Sequence, residues 1–441
     1  MTDAVSSAPA ATWKPRRLPA EESAARVRAR YAAEGRFKLY GLIAVLTALA
    51  LLVVLMADIL GKGLSGFWHT RIALDIDFAA QEIDPDGTRD PAAIRRANFA
   101  GLINDALYAE FPEAEDRQDR RRLRGLVSAG ASILLANRVA EDPSMIGTTQ
   151  RVELLADDTV DQFWKGKIDR DLPAADRPIS DQEIAWIDQL AEQDRLSTTF
   201  NTRFFEAGDS RDPELAGIWG AVVGSFWLMV VTLLLSVPIG VSAAIYLEEF
   251  APKNNRWVDL VEVNINNLAA VPSIVFGLLG LAVFINTFGL PRSAPLVGGL
   301  TLTLMTLPTI VVATRAALRA VPPSIRDAAL GVGASKIQTV GHHVLPLALP
   351  GVLTGTIIGL AQALGETAPL ILIGMVAFIV DIPSGPLSPA TALPVQVYIW
   401  ADSPERAFAE KTAAAIIVLL GFLILMNLAA VLLRKRFERS W

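Results

Sequence analysis

The chain contains no cysteine and only three histidines. Disulfide bridges, thiol catalysis and iron–sulfur ligation are therefore excluded. His342 and His343 are adjacent, so on a helix their side chains diverge, and no carboxylate follows at metal spacing. His69 stands without a nucleophile–base pattern around it. A Gly-x-x-x-x-Gly-Lys-Ser/Thr run is also missing, because Gly61-Lys62 and Gly166-Lys167 both lack the upstream glycine. The chain is thus not expected to bind nucleotide itself. No basic tract with interleaved aromatics occurs, which removes nucleic-acid binding. These absences leave no catalytic residue, no metal site and no cofactor to expect.

What is present is apolar length. Hydrophobic residues make up 52% of the chain and charged residues 20%, the mixture of a membrane protein with a sizeable soluble portion. Six stretches, 39–60, 218–247, 265–288, 296–318, 349–380 and 412–433, approach or exceed the roughly 20 residues needed to cross a bilayer. The first has a basic leader, but its apolar run is too long for a signal peptide and no small-residue cleavage site follows. It is read as an uncleaved span. Lys14, Arg16, Arg17, Arg26, Arg28, Arg30, Arg36 and Lys38 precede it, and Arg434, Lys435, Arg436 and Arg439 follow the last. The positive-inside rule then puts both termini in the cytoplasm, together with the segment 319–348 carrying Arg319, Arg326 and Lys336. The expected division is a cytoplasmic tail 1–38, a first helix 39–60, an external domain 61–217, a five-helix unit 218–433 and a tail 434–441.

The external segment opens with apolar alternation at Ile72, Leu74, Ile76 and Phe78, which predicts a strand. Helical patterns follow at 91–110, 119–140 and 180–195, so the domain is expected to be mainly helical. Ser180-Asp181-Gln182-Glu183 reads as a capping box opening the last of them. Arg120-Arg121-Arg122 reads as a solvated helix face. Between the second and third apolar runs, Glu248-Glu249-Phe250-Ala251-Pro252 is expected to end a helix, with 253–262 lying along the membrane surface.

The segment 319–348 has the makings of a helical hairpin. Ser324 is placed to cap a short helix and Asp327 to favour its positive end. Ile325, Ala328, Ala329 and Val332 fall on one face. Gly331 and Gly333 permit a turn, and Ser335-Lys336-Ile337-Gln338 reads as a second capping box. Beyond it, Gly351, Gly355 and Gly359 recur at every fourth position, as Gly220 and Gly224 do earlier, making smooth faces for close helix packing. That property would suit sliding contacts between two subunits. Glu366 then falls inside the fifth apolar run, where a carboxylate must be paired, protonated or facing water, and Pro369 can bend the helix beside it.

Asp327-Ala328-Ala329, Gly333 and Leu345-Pro346 resemble, in order and spacing, the "EAA" coupling loop of ATP-binding-cassette (ABC) importer permeases. Asp replaces the family's Glu, and His343 its Ile. A narrower resemblance follows. Gly365-Glu366-Thr367-Ala368-Pro369-Leu370 looks like the GETAPL signature of PstA-type phosphate permeases, and Leu268-Ala269-Ala270-Val271-Pro272-Ser273-Ile274-Val275-Phe276-Gly277-Leu278 is similar to their LA-x-x-PSIV-x-GL stretch. Residues 217–225 are similar to the entry into their permease unit. The segment 61–217 matches only the enlarged external loop of some bacterial members.

The resemblance implies an α-helical membrane protein of six transmembrane helices with the type I ABC importer permease fold, placed in a bacterial inner membrane. Its function would be that of a permease subunit of an ATP-driven phosphate importer, not an enzyme. The implied partners are a homologous PstC-type permease, a PstB-type ATPase dimer, a PstS-type periplasmic binding protein and membrane lipid. ATPase coupling falls to Asp327, Ala328, Ala329, Gly333, Leu345 and Pro346. An anion path needs donors to replace water, and the candidates are Arg315, Ser273, Asn267, Gln362, Glu366 and Thr367, with Asn264 and Asn266 nearby. Relatives carry arginines where this chain has Val312 and Gln362, so much of the positive field is expected from the partner permease. An importer of molybdate, sulfate or a polyamine would share the spans and hairpin. A proton-driven carrier acting through Glu366 would leave the hairpin without a purpose.

Overall fold

The structure, a computed structural model, describes residues 20–252 and 254–437. Lys14, Arg16, Arg17 and Arg439 lie outside the described residues, as do 1–19 of the expected tail. The chain divides into two compact units, Met1–Asp58 and Ile59–Trp441. The described part of the first lies within the helix α1 (Ala20–Gly63), whose residues from Ile59 on are counted with the second. It starts far earlier than the apolar run, because the Ala/Glu/Arg-rich stretch before it is made of good helix formers and is braced by Glu34–Lys38 at 2.7 Å. At about 1.5 Å per residue the helix is longer than the hydrocarbon layer is thick. Its apolar side chains, such as Leu42, Leu46 and Val53, are exposed.

The second unit begins with an α+β domain. The predicted strand is present as β1 (Trp68–Asp77), but it is the centre of a three-stranded antiparallel sheet in the order β2-β1-β3, with β2 at Thr149–Leu155 and β3 at Leu196–Phe200. The two flanking strands were not expected. Their alternation is short, and only pairing across β1 makes it a pattern: Ile72 sits opposite both Leu154 and Leu196, and Leu74 opposite Val152. Helices α2 (Phe99–Glu110), α3 (Arg117–Arg124), α4 (Ala131–Glu141), α5 (Asp158–Trp164) and α6 (Asp181–Glu192) complete the domain. Its core joins Ile72, Leu74, Ile76 and Phe78 to Leu107, Val139, Ile187 and Leu190.

The expected helix 91–110 is interrupted because Asn98 caps α2, accepting from Gly101 N at 3.0 Å. The pattern 119–140 is likewise split, with α3 ending at Gly125. The Ser180–Glu183 capping box opens α6. The arginine run is a solvated face, as expected, with Arg120 and Arg121 exposed and Arg122 half-buried. Arg120 lies 4.9 Å from the Tyr108 ring centre and donates to Ala114 O, while Arg122 reaches Gln182.

The helical part of the unit consists of α7 (Trp219–Ile245), α8 (Arg256–Ala269), α9 (Ser273–Leu279), α10 (Pro295–Ala320), α11 (Pro323–Gly331), α12 (Lys336–Thr339), α13 (Leu345–Gly365), α14 (Ala368–Leu372), α15 (Leu393–Ala401) and α16 (Ala407–Phe437). Among the described residues five helices are long and apolar enough to cross a membrane, and a bent pair makes a further candidate. Helix α10 packs against both α7 and α13, and α16 lies along α13 and α15. Leu228, Phe276, Leu302, Met305, Leu360 and Leu364 fill the space between them.

Two expected spans are corrected. The run 265–288 is not one helix: α8 and α9 meet at an angle of 105°. Pro272 ends α8's path because its ring excludes helical geometry at the preceding residue, and α9 widens into a π-helix at Gly280–Thr287. Residues 265–269 therefore belong to the amphipathic helix, which extends well past the expected 253–262. The run 349–380 also breaks, since α13 ends at Gly365 and Glu366 is extended at φ −78°, ψ 128°.

The α+β domain is fastened to the first turn of α16 by a buried polar seam. Lys165 pairs with Asp161 at 2.7 Å and Glu410 at 3.1 Å, and donates to Trp68 O at 2.7 Å. Asp161 accepts from Thr70 N and Oγ1, and Gln162 donates to Glu410 at 2.7 Å. Glu410 gains further from its place at a helix N-terminus. A second fastening joins Trp400 Nε1 to Asp209 at 2.9 Å, above the cluster of Phe204, Ile218, Leu393 and Phe408.

Candidate functional site

The hairpin between α10 and α13 is built as two short helices around a tight turn. Ser324 is not its cap: α11 starts at Pro323, whose fixed φ suits a first helical position, with Pro322 before it. Of the two glycines only Gly333 requires its residue type, with φ at +91°. The box at Ser335 is formed, with Ser335 N donating to Gln338 Oε1 at 2.9 Å and Gln338 N to Ser335 Oγ at 3.3 Å.

The expected apolar face of α11 divides. Ile325 and Ala329 turn inward, Ile325 packing on the cluster of Leu318, Val321, Val344 and Val352. Asp327 and Ala328 are exposed, while Leu345 and Pro346 are half-buried in the first turn of α13. The outward apolar surface is instead Leu330, Val332 and Ile337, exposed by 49%, 86% and 74%. Bulky apolar side chains exposed together on one turn mark a contact surface.

The hairpin's base is fixed by residues that the sequence patterns marked only as a helix end. The wide turn Tyr246–Phe250 at the end of α7 supplies them in succession. Glu248 pairs with Arg319 at 2.9 Å and Arg315 at 3.3 Å. Glu249 pairs with Arg326 at 2.6 Å. The Phe250 ring centre lies 5.3 Å from Lys336 Nζ. Arg326 also donates to Val321 O at 2.7 Å and Leu318 O at 2.9 Å, satisfying carbonyls at the end of α10. The readable signal was two adjacent carboxylates at one helix end with arginines at another. Glu262 completes the group by pairing with Arg315. Arg315, the one basic candidate for the anion path, is thus held by two carboxylates and is not a free donor in this conformation.

The glycine stripe of α13 closes against α10 of the same chain. A Cβ on Gly351 would come within 2.6 Å of the Ala317 methyl, and one on Gly355 would collide with Ala313. The contact between subunits suggested by the stripe is corrected accordingly: small residues on both helices let the two backbones approach within the chain.

The two helix breaks meet. A Cβ on Gly277 of α9 would lie 2.7 Å from Pro369 Cα and 3.0 Å from Leu372. The Pro-Ser-Ile-Val and Gly-Glu-Thr-Ala-Pro-Leu segments, nearly a hundred positions apart in sequence, are therefore packed on one another. Ser273, Glu366 and Thr367 are half-buried around these breaks, and Gln362 and Asn267 are exposed. No ion pair involves Glu366 among the described residues. Asn264 is turned back on its own helix, donating to Leu260 O at 2.7 Å. His342 and His343 are exposed, and no group of metal-ligating side chains occurs among the described residues.

Long apolar helices, a sharply bent pair and a polar hairpin with an apolar tip define a multi-pass membrane protein with an outward-facing contact surface on its loop. Residues 215–439, over half of the chain, match the family described as binding-protein-dependent transport system inner membrane component. Residues 24–174 match a domain of unknown function, DUF3333. The "Probable ABC transporter permease protein YqgI" of Bacillus subtilis is 36% identical over 156 residues, covering 35% of this chain and 52% of that protein. The chain thus spans about half the length of that relative. "Phosphate transport system permease protein PstA 1" of Mycobacterium tuberculosis is 34% identical over 220 residues, covering 49% of this chain and 70% of that protein. A solved structure of the MetNI methionine ABC transporter in an inward-facing conformation is similar at 20% identity and a TM-score of 0.41, over 50% of this chain and 98% of that one. The chain belongs to the binding-protein-dependent transport system inner membrane component family.

Proposed function

We propose that the chain is a membrane permease subunit of an ATP-driven phosphate importer, with the type I arrangement, forming half of the translocation path. The observation that carries this reading is the packing of the two family segments on each other at Gly277 and Pro369, in a chain whose relatives include phosphate transport system permeases. ATP is hydrolysed in a separate subunit, which seats the tip formed by Leu330, Val332 and Ile337. A binding protein delivers the anion from the opposite side. The homologous permease, ATPase dimer and binding protein are of the PstC, PstB and PstS types. Both termini and the hairpin lie in the cytoplasm, and residues 61–217 lie outside, following the distribution of Lys and Arg.

The hairpin's anchoring supports a mechanical role. Arg326 and Lys336 tie it to Glu249 and Phe250 at the end of α7, and Arg319 ties the end of α10 to Glu248. A push on the tip therefore moves α7, α10 and α13 together. Movement of α10 and α13 changes the contact between the two breaks, where Ser273, Glu366 and Thr367 stand as the polar lining of the path. Glu366 repels an anion unless protonated or faced by the partner subunit's positive charge.

The test is uptake of labelled phosphate by the assembled transporter carrying Gly333→Asp. A side chain at φ +91° strains the turn, yet open space surrounds the residue. Uptake is expected to fall at least tenfold with the protein still inserted in the membrane. Undiminished uptake at full expression rejects the coupling role. Stimulation of the ATPase by sulfate, molybdate or polyamine binding proteins, and not by a phosphate-binding one, rejects the substrate.

A further inference from the structure

We propose that the α+β domain carries its own binding site for a small oxyanion of the phosphate class, formed by Arg71, Arg138 and Arg203 around a cavity of about 220 Å³. The cavity is walled by β1, β2 and α4, and its remaining lining is mostly apolar, including Leu135 and Leu154. It has room for several waters at about 30 Å³ each, or for one small anion with part of its hydration shell.

Each guanidinium is held differently, and none is fully neutralised. Arg71 Nε donates to His69 Nε2 at 3.0 Å. His69 is buried, and burial together with the Arg71 charge lowers its pKa to about 4. A neutral imidazole therefore orients Arg71 without cancelling its charge. Arg203 Nε donates to Leu215 O at 3.2 Å, which leaves its terminal nitrogens without a protein partner among the described residues. Arg138 is exposed, and its side chain makes no ion pair or hydrogen bond among the described residues. The one carboxylate on the lining, Glu153, reaches Arg71 at 3.6 Å with half of its surface in water, so it screens the site weakly. On the lining itself three arginines face one carboxylate, with Asp142 near Arg138 outside it. Three arginines on the lining of one cavity suit an anion with several equivalent oxygens, because a guanidinium can donate two parallel hydrogen bonds.

The inference rests on the phosphate reading above and on this domain facing the side from which the anion arrives. There the site would retain phosphate close to the entrance. The experiment is calorimetric titration of the full chain in detergent with inorganic phosphate, beside Arg138→Glu. Saturable binding to the unchanged chain, weakened at least tenfold by Arg138→Glu with an unchanged unfolding temperature without phosphate, supports the site. No binding, or equal binding by the variant, overturns it. So does binding seen only to vesicles containing phosphatidylglycerol, because the ligand is then a lipid headgroup. Uptake by the assembled transporter is measured in parallel. Uptake without binding to this chain overturns the site and leaves the importer reading intact, whereas binding without uptake overturns the importer reading and supports the site.

Discussion

The α+β domain and the helical unit solve the same packing problem with opposite side chains. The domain closes around Phe78, Phe99, Phe111 and Ile187, all fully buried. The helices close at tight points around almost nothing, among them Gly351 on Ala317, Gly277 on Pro369, and Gly299 on Val231. In water, large apolar side chains bring free energy by leaving solvent. In lipid the surroundings are as apolar as the core, so association depends on close backbone approach and van der Waals contact. The polar seam between the two regions obeys a third rule, since Lys165 and Glu410 are tolerated in their buried positions only as partners.

That contrast can be broken first at the seam. Lys165→Ala removes the cation paired directly with Asp161 and Glu410, leaving only the charge of the neighbouring buried Lys411, and is expected to cost about 3–5 kcal/mol. Thermal unfolding of the purified chain measures it; a change under 1 kcal/mol would mean that water already screens the group. The two packing modes are sharpened by a pair of substitutions. Leu107→Ala opens a void in the domain and should cost roughly 2–5 kcal/mol. Gly277→Val adds bulk against the Pro369 backbone and should cost roughly 1–3 kcal/mol, although it increases apolar volume. If Gly277→Val were neutral, the contact between the breaks would not be close-packed and the assignment of a path there would fail.

The smallest effect concerns acid. Burial holds His69 neutral down to about pH 4, whereas in the unfolded chain it takes up a proton near pH 6.5. The unfolded state therefore binds more protons between these values, so His69's contribution is complete above pH 6.5 and is lost as pH falls towards 4. Asp157, pushed up to about 7 by burial beside Asp158, acts in the opposite sense. The difference between the chain and His69→Gln isolates the first term, and the variant should lose less stability on acidification. Parallel curves for the two would show that His69 is freely solvated.

Much of the architecture follows from local pattern. Runs of apolar residues marked most of the membrane helices, and the two Ser-x-x-Glu/Gln boxes marked helix starts at Ser180 and Ser335, because a cap needs only its own four residues. The ends of the third and fifth runs were misplaced for the opposite reason. Hydropathy continues unbroken past Pro272 and Gly365, while the backbone does not. The flanking strands β2 and β3 gained their alternation only by pairing with β1.

By itself the sequence determined which segments are apolar, where the two capping boxes open helices, and that a glycine face at every fourth residue of α13 had to meet something flat. It also held the spacing of the hairpin from Asp327 to Pro346. Tertiary structure alone decided what each surface meets: α10 for the glycine face, Pro369 for Gly277, and Glu248, Glu249 and Phe250 for the hairpin's cations. The physical reason is that local periodicity fixes the direction in which a side chain points along its own element. The partner across the gap depends on chain segments tens of residues away, and many surfaces of equal polarity compete for it.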